Sequence, residues 1–501
     1  MSSVDPSWPA PSSPLPAAGP PVRRRRRLLF GGLAAVLALG LVVGAVGLDR
    51  RAGASGAGGG PGLGDPYFPR AGNSGYDVER YTIALDWEPK LPSLTATTTF
   101  TARALQELGW FYVDLALQVD GVRVDGVPAE FSRDGFSDVR VQPAAPVAAG
   151  AGFTVQVDYS GRPGELSQGR VQPWLNRGAE WSAIGEPEVS AWWFPANDHP
   201  SDPALMDVSV RVPAGMEALS VGRLESRDRA DEAGFDTWHW VAREPMATYL
   251  NFVSIGQFTL EEGTADGRPY VYAVSDQLRG QQRRVAFKRL RTTAGTIRVL
   301  ESMFGPYPFS DIGGVVPAHG LGFGALENQT RPVYDVSPLE DAEFAPQLVA
   351  HELAHMWFGN NVTLRTWDDI VNSEGYASWA QWGYTERTGG RSAAQAFEDT
   401  YARAVQQPGF WDVDLSDPGP DHLFDTVYTR GPMALQALRN VIGDEAFFAL
   451  ARDWGSTPGT RSFEEWKARA QGTTAVDLGP FFEAWYEASR PPARTAANGF
   501  P

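Results

Sequence analysis

The sequence contains no cysteine among its 501 residues. That excludes a disulfide framework, a thiol nucleophile and any thiolate-held metal, so a metal in this chain must rest on histidine and carboxylate. Histidine is itself scarce, with six residues, and lysine occurs only at Lys90, Lys288 and Lys467. Positive charge is short overall: 43 Lys and Arg stand against 60 Asp and Glu, a formal net charge of −17. A nucleic-acid partner needs a basic face to offset phosphate repulsion, so this balance argues against one.

The basic residues that are present begin with Arg23 to Arg27, which follow a Ser-, Pro- and Ala-rich tail and abut an uncharged run from Leu28 to Leu48. A tail so poor in large apolar groups cannot offset the entropy of ordering, so 1–27 is expected to be disordered. At about 1.5 Å per residue the apolar run is long enough for the roughly 30 Å hydrocarbon core, and the sequence predicts a transmembrane signal anchor over 28–48. Arg-rich flanks stay in the cytoplasm, which places the rest of the chain outside the cell membrane as a single-pass protein. Cleavage near Gly47, after small residues at signal-peptide spacing, gives the alternative of a secreted form. Residues 49–65 are mostly Gly and Ala and read as a flexible linker.

Beyond Pro66 the pattern becomes β-branched and aromatic, at Tyr81–Trp87, Phe111–Leu115, Val122–Val124 and Phe153–Val157. Turns are expected at Asp120-Gly121, Asp125-Gly126 and Asp134-Gly135. Residues 66–258 therefore read as one all-β domain, its last strand running from Tyr249 to Phe258. After a short strand at Tyr270–Val274 the spacing predicts helices over Gln277–Phe304, around His351, and over Asp368–Arg387, Ala393–Gln406 and Pro432–Val441. A capping box at Ser462 and Glu465 opens another helix, Phe481–Tyr486 reads as a last packed one, and 491–501 is expected to fray.

The centre of the chain is His351-Glu352-Leu353-Ala354-His355. Residues four apart share one face of a helix, so the two imidazoles can meet one tetrahedral metal with Glu352 at its edge as a base. A catalytic zinc keeps a third protein ligand and an open position. Glu374, with 18 residues between it and His355, is the best candidate, with His319 and His422 as the histidines that could replace it.

With Trp357-Phe358-Gly359-Asn360 and Glu374-Gly375 following at that spacing, the motif resembles the gluzincin zinc aminopeptidases of the aminopeptidase N type. The resemblance covers roughly 66–490. It implies an N-terminal all-β saddle-like domain, a thermolysin-like, mainly helical catalytic domain over 259–490, and one zinc ion. Gly324-Ala325-Leu326-Glu327-Asn328 is similar to the family's exopeptidase motif, with Leu for the usual Met. By that likeness Gly324, Ala325, Glu327 and Asn328 bind substrate, and Glu327 pairs with its free α-amino group. Glu186, ahead of Trp193-Phe194-Pro195, is implied as a second carboxylate near that amine, while Ile184 stands where relatives often carry Gln. Val427-Tyr428-Thr429-Arg430-Gly431 is similar to the family's tyrosine motif, with Arg430 where Lys is usual, which implies Tyr428 as an oxyanion donor. Relatives carry Asn before the third ligand, whereas this chain has Ser373, which alters the support of Glu374.

The function implied is removal of the N-terminal residue from peptides with a free amino terminus, outside the membrane, with Glu352 as general base. An endopeptidase with the same zinc chemistry, or a catalytically silent binding module, is the alternative. His199 reads as structural, and the sequons at Asn328 and Asn361 as chance matches, since a glycan there would obstruct the cleft.

Overall fold

The computed structural model describes residues 57–168, 172–187 and 189–501. The tail, the apolar run 28–48 and the start of the linker lie outside the described residues. Among the described residues no helix is long and apolar enough to cross a membrane.

The N-terminal part is β-rich. Its main sheet has eight strands, with Tyr76–Glu88 at the middle between Ala204–Pro213, which it pairs in parallel, and Ser93–Ala104, which it pairs antiparallel. Side chains alternate between core and solvent along Tyr76–Glu88, and a bulge between Val78 and Arg80 shifts that alternation by one residue. Tyr76 and Val78 before it and Tyr81, Ile83, Leu85 and Trp87 after it thus all face the core. A four-stranded sheet packs on the main sheet through Trp174 and Trp181, whose rings lie 5.2 Å from that of Trp87.

Several sequence expectations are corrected. Asp120-Gly121 is not a turn: it lies inside the strand Gln118–Val124, where the register slips between Val119 and Gly121. A bulge and a turn share the same Asp-Gly chemistry, and the partner strand Gly152–Gly161 decides between them. Tyr249 does not begin a strand. It sits in a 3-10 turn, Thr248–Leu250, and the strand is only Val253–Gly256.

The described end of the linker, 57–65, is not a free tether. Gly59 N–H donates to Trp110 O at 2.9 Å, and Gly109 N–H donates to Ala57 O at 2.7 Å. Its glycines serve close approach, since a Cβ at Gly58 would lie 2.2 Å from the Trp110 ring. Asp65 then bonds the backbone of Trp367 at 2.8 Å and His199 at 3.2 Å, tying linker, β-rich part and helical part together.

The C-terminal part is mainly helical around a five-stranded sheet, in the order 258–265, 268–275, 312–316, 333–334, 325–326. The expected helix 277–304 divides into Gly280–Leu290 and Thr293–Phe304. The expected helix 368–387 is a 3-10 turn, Trp367–Ile370, a π turn, Val371–Gly375, and an α-helix, Tyr376–Arg387. The helix expected from Pro432 starts at Val427 and keeps Pro432 in its second turn, so Tyr428 lies on the helix itself. The capping box at Ser462 and Glu465 forms as expected.

The terminal segment 491–501 does not fray. Phe500 is buried against Tyr401 and Trp485, at ring distances of 4.6 and 6.1 Å, and Asn440 donates to Gly499 O. A fully buried Arg331 joins the two parts: it stacks over Trp240 and donates to the carbonyls of Ser220 and Gly222.

Candidate active site

The helix Phe344–Ala354 carries His351 and Glu352, and His355 follows as its C-cap, still in right-handed helical conformation. One turn separates the imidazoles, and their rings meet at 4.9 Å with the Nε2 atoms 3.2 Å apart. The π turn brings Glu374 to them: its Oε2 lies 3.2 Å from His351 Nε2 and 3.4 Å from His355 Nε2. An extra residue in a helical turn rotates the side chains that follow, and π turns concentrate at such sites for that reason. His319 and His422 lie elsewhere, the first bonded to Ser182 and the second to Asp425.

All three side chains are buried, and among the described residues Glu374 Oε2 faces the two imidazoles and accepts no other hydrogen bond. Two imidazole nitrogens and such an oxygen, within 4.8 Å of one another, fit a zinc ion as donor set and as electrostatics. Glu327, Glu352 and His355 also offer atoms within 4.8 Å of one another, so both of these carboxylates stand beside the same imidazole.

The site is crowded with negative charge. Burial, reinforced by Glu327, Glu374 and Glu352, pushes the Glu186 carboxyl well above the carboxylate range. Burial does the same to Glu352, against the opposing charge of His355, and raises Glu327. Burial would lower His355, but Glu327 and Glu374 outweigh it and raise the imidazole to about 10. Glu374 goes the other way: burial is overcome by His355 and His351, which hold its carboxyl below the usual range. Among the described residues no Lys or Arg forms an ion pair with any of these four carboxylates. Carboxyl groups shifted this far by burial and by one another mark a candidate functional site.

Support comes from residues around the three ligands. Ser373 Oγ lies 3.0 Å from His355 Nδ1 and donates to Phe358 O at 3.1 Å, so the residue preceding Glu374 supports His355. Gly359 makes room for it, with φ at 112° and a would-be Cβ 2.3 Å from that hydroxyl. Tyr428 donates its phenol to Glu374 Oε1 at 3.0 Å. Arg430 does not enter the site; buried, it donates to the carbonyls of Val413, Trp485 and Ala488.

Glu327 follows the edge strand Ala325–Leu326, which pairs with Val333–Tyr334. Gly324, with φ at 95°, accepts from Asp335 N and immediately precedes that strand. Asn328 turns its amide to Leu250 O at 3.0 Å and braces the segment, and the second sequon residue, Asn361, donates to Gly455 O. Tyr249, which no local sequence signal marks, donates to Glu327 Oε1 at 3.2 Å. Ile184 is buried in the core. Glu186 is half-buried and close enough to Glu327, Glu352 and Glu374 to feel their charge.

Comparison with known proteins agrees with this geometry. Residues 289–455 match the Peptidase family M1 domain. A probable M1 family aminopeptidase 2 of Encephalitozoon cuniculi is 26% identical over 373 residues, 67% of this chain and 41% of its own length. The leucyl aminopeptidase of Saccharolobus solfataricus is 25% identical over 358 residues, 66% of this chain and 43% of its own. The chain thus spans about two fifths of the length of these curated relatives. Among solved structures, a mutant M1 zinc metallopeptidase of Deinococcus radiodurans bound to a Tyr-Ser-Ala substrate superposes with a TM-score of 0.76 at 27% identity. That match covers 86% of this chain and 98% of the other. A two-domain M1 zinc metallopeptidase mutant bound to L-arginine gives 0.73 at 27%, over 82% and 94%. Residues 289–455 thus carry a Peptidase family M1 domain, and the motif, the ligand geometry and these likenesses agree with that match.

Proposed function

We propose that the chain is a zinc metallo-aminopeptidase that removes the N-terminal residue of peptides. The observation that carries this is the convergence of His351, His355 and Glu374 beside Glu327 and Glu352, in a buried pocket where, among the described residues, no Lys or Arg pairs with these carboxylates. His351, His355 and Glu374 would hold one zinc ion. When bound there, zinc supplies Lewis acidity, acidifying water and polarising a carbonyl.

This chain's residues do the rest. Glu352 takes a proton from water and delivers it to the leaving amine. The Tyr428 phenol, kept protonated by burial and by Glu374, donates to the carbonyl oxygen as it gains charge. Glu327, with Glu186 beside it, pairs with the substrate ammonium, so the cleft measures one residue to the scissile bond. Ala325, on the edge strand, and Gly324 just before it offer their backbone to the substrate, and Asn328 holds that segment in place. The β-rich part acts as the saddle and the helical part as the thermolysin-like catalytic domain. Residues 28–48 anchor the enzyme outside the cell membrane, with release near Gly47 as the other course.

A panel of aminoacyl p-nitroanilides, with and without a chelator, tests the reading. Hydrolysis that stops on chelation and returns with zinc is the expected result; full activity in chelator, or none on any member of the panel, overturns it.

A further inference from the structure

The carboxylate of Glu327 can measure the substrate only if it is held still. Buried carboxylates usually gain that from an arginine fork, but no Lys or Arg pairs with Glu327 among the described residues. Its one side-chain donor among the described residues is the phenol of Tyr249 at 3.2 Å, and both residues are almost fully buried. Without a fixed partner Glu327 has a competing arrangement, because its oxygen comes within 4.8 Å of ligand atoms of His355 and Glu352.

Tyr249 is unusually well fixed for a residue in a short turn. Thr248 donates to Asp198 Oδ1 at 2.7 Å, and Leu250 O accepts from Asn328 at 3.0 Å. The Tyr249 ring packs on Trp367 at 5.4 Å, and Asp65 anchors the Trp367 backbone. Asn328 also immediately follows Glu327, so turn and carboxylate are tied twice over. On the other side Asn360 donates to Glu327 O at 2.9 Å.

We propose that Tyr249 is the positioning residue for substrate recognition: its phenol fastens Glu327 Oε1 so that the carboxylate faces the incoming ammonium and stays out of the metal ligand set. The inference rests on Glu327 being the amine-binding group. Tyr249 spends its phenol proton on Glu327 and acts through that carboxylate. Its loss therefore weakens binding of substrates with a free amine without slowing the chemistry.

The test compares the wild type with Tyr249→Phe and Glu327→Gln, measuring kcat and KM on an aminoacyl p-nitroanilide, bound zinc and melting temperature. It adds the rate ratio between one peptide and its N-acetylated form. Tyr249→Phe removes one oxygen and leaves the ring on Trp367, so a folded variant is available for comparison. The expected result is a KM about 10-fold higher, the size of one hydrogen bond to a charged group. With it come a kcat within about twofold, stoichiometric zinc, and a reduced preference for the free amine, less reduced than in Glu327→Gln. An unchanged KM and preference in Tyr249→Phe, with the preference lost in Glu327→Gln, overturns the inference and leaves the aminopeptidase reading standing. A fall in kcat and melting temperature at unchanged KM also overturns it, since that is the mark of a merely structural residue. A preference that survives Glu327→Gln overturns the amine-binding reading and this inference with it.

Discussion

Gly431 packs directly on Gly375: a Cβ built on Gly431 would stand 2.9 Å from the Cα of Gly375. This contact seats the helix Val427–Ile442 against the π turn Val371–Gly375 and brings the Tyr428 phenol within hydrogen-bond reach of Glu374. Helix propensity alone favours alanine at Gly431 by about 1 kcal/mol. The clash opposes it, and overpacking of a tight contact costs roughly 1–3 kcal/mol. Gly431→Ala is expected to lower stability in urea denaturation and to lower kcat by moving Tyr428. A stabilised variant with full kcat would show that the close approach is not required.

Tyr428 itself is tested by Tyr428→Phe. If its phenol stabilises the developing oxyanion, kcat falls by roughly 10²-fold or more. Zinc content is expected to stay stoichiometric, because Tyr428 bonds Glu374 Oε1 rather than the oxygen facing the imidazoles. Steady-state kinetics with metal analysis decide the matter, and an unchanged kcat removes the role.

Ser373 gives a prediction about metal affinity. Its hydroxyl lies against His355 Nδ1 and fixes the ring so that Nε2 faces Glu374. Partners of this kind carry roughly 10–100-fold in affinity. Ser373→Ala is expected to weaken zinc binding by that factor in a competition titration with a chromophoric chelator. Equal affinity would mean that Phe358 O alone orients the ring.

His319 predicts a pH dependence of stability. Burial lowers its imidazole to about 4, against a slight rise from the Gly320 backbone, while the unfolded chain titrates near 6.5. The unfolded state therefore binds the proton more readily. The stabilising contribution is complete above about pH 6.5 and is lost as pH falls toward 4, by roughly 3 kcal/mol in total. His319→Gln is expected to flatten the difference between stabilities measured at pH 7 and pH 4.5, whereas parallel curves would contradict this placement of the proton.

The sequence made the ligands legible because helical spacing alone puts His351 and His355 on one face, and Glu374 stood at a spacing that few families share. It made the β-rich and helical parts legible through their different periodicities. It did not reveal the π turn that aims Glu374, because a π turn carries no residue pattern apart from that of an α-helix. It gave no sign of Tyr249 either: that residue reads as one more apolar strand position, and its partner lies 78 residues away. Residues 57–65 differ from the expected flexible linker for a physical reason as well. Glycine signals freedom in an isolated chain, while here Gly58 and Gly59 let the backbone lie against Trp110 and Ser74.

The central claim is that the cleft counts one residue from a free amino terminus. The most direct measurement is a mass-spectrometric time course on one hexapeptide and its N-acetylated twin with zinc-loaded enzyme. Stepwise loss of single residues from the free peptide, with the acetylated one left intact, is the expected result. Internal cleavage of both peptides at equal rates would contradict it.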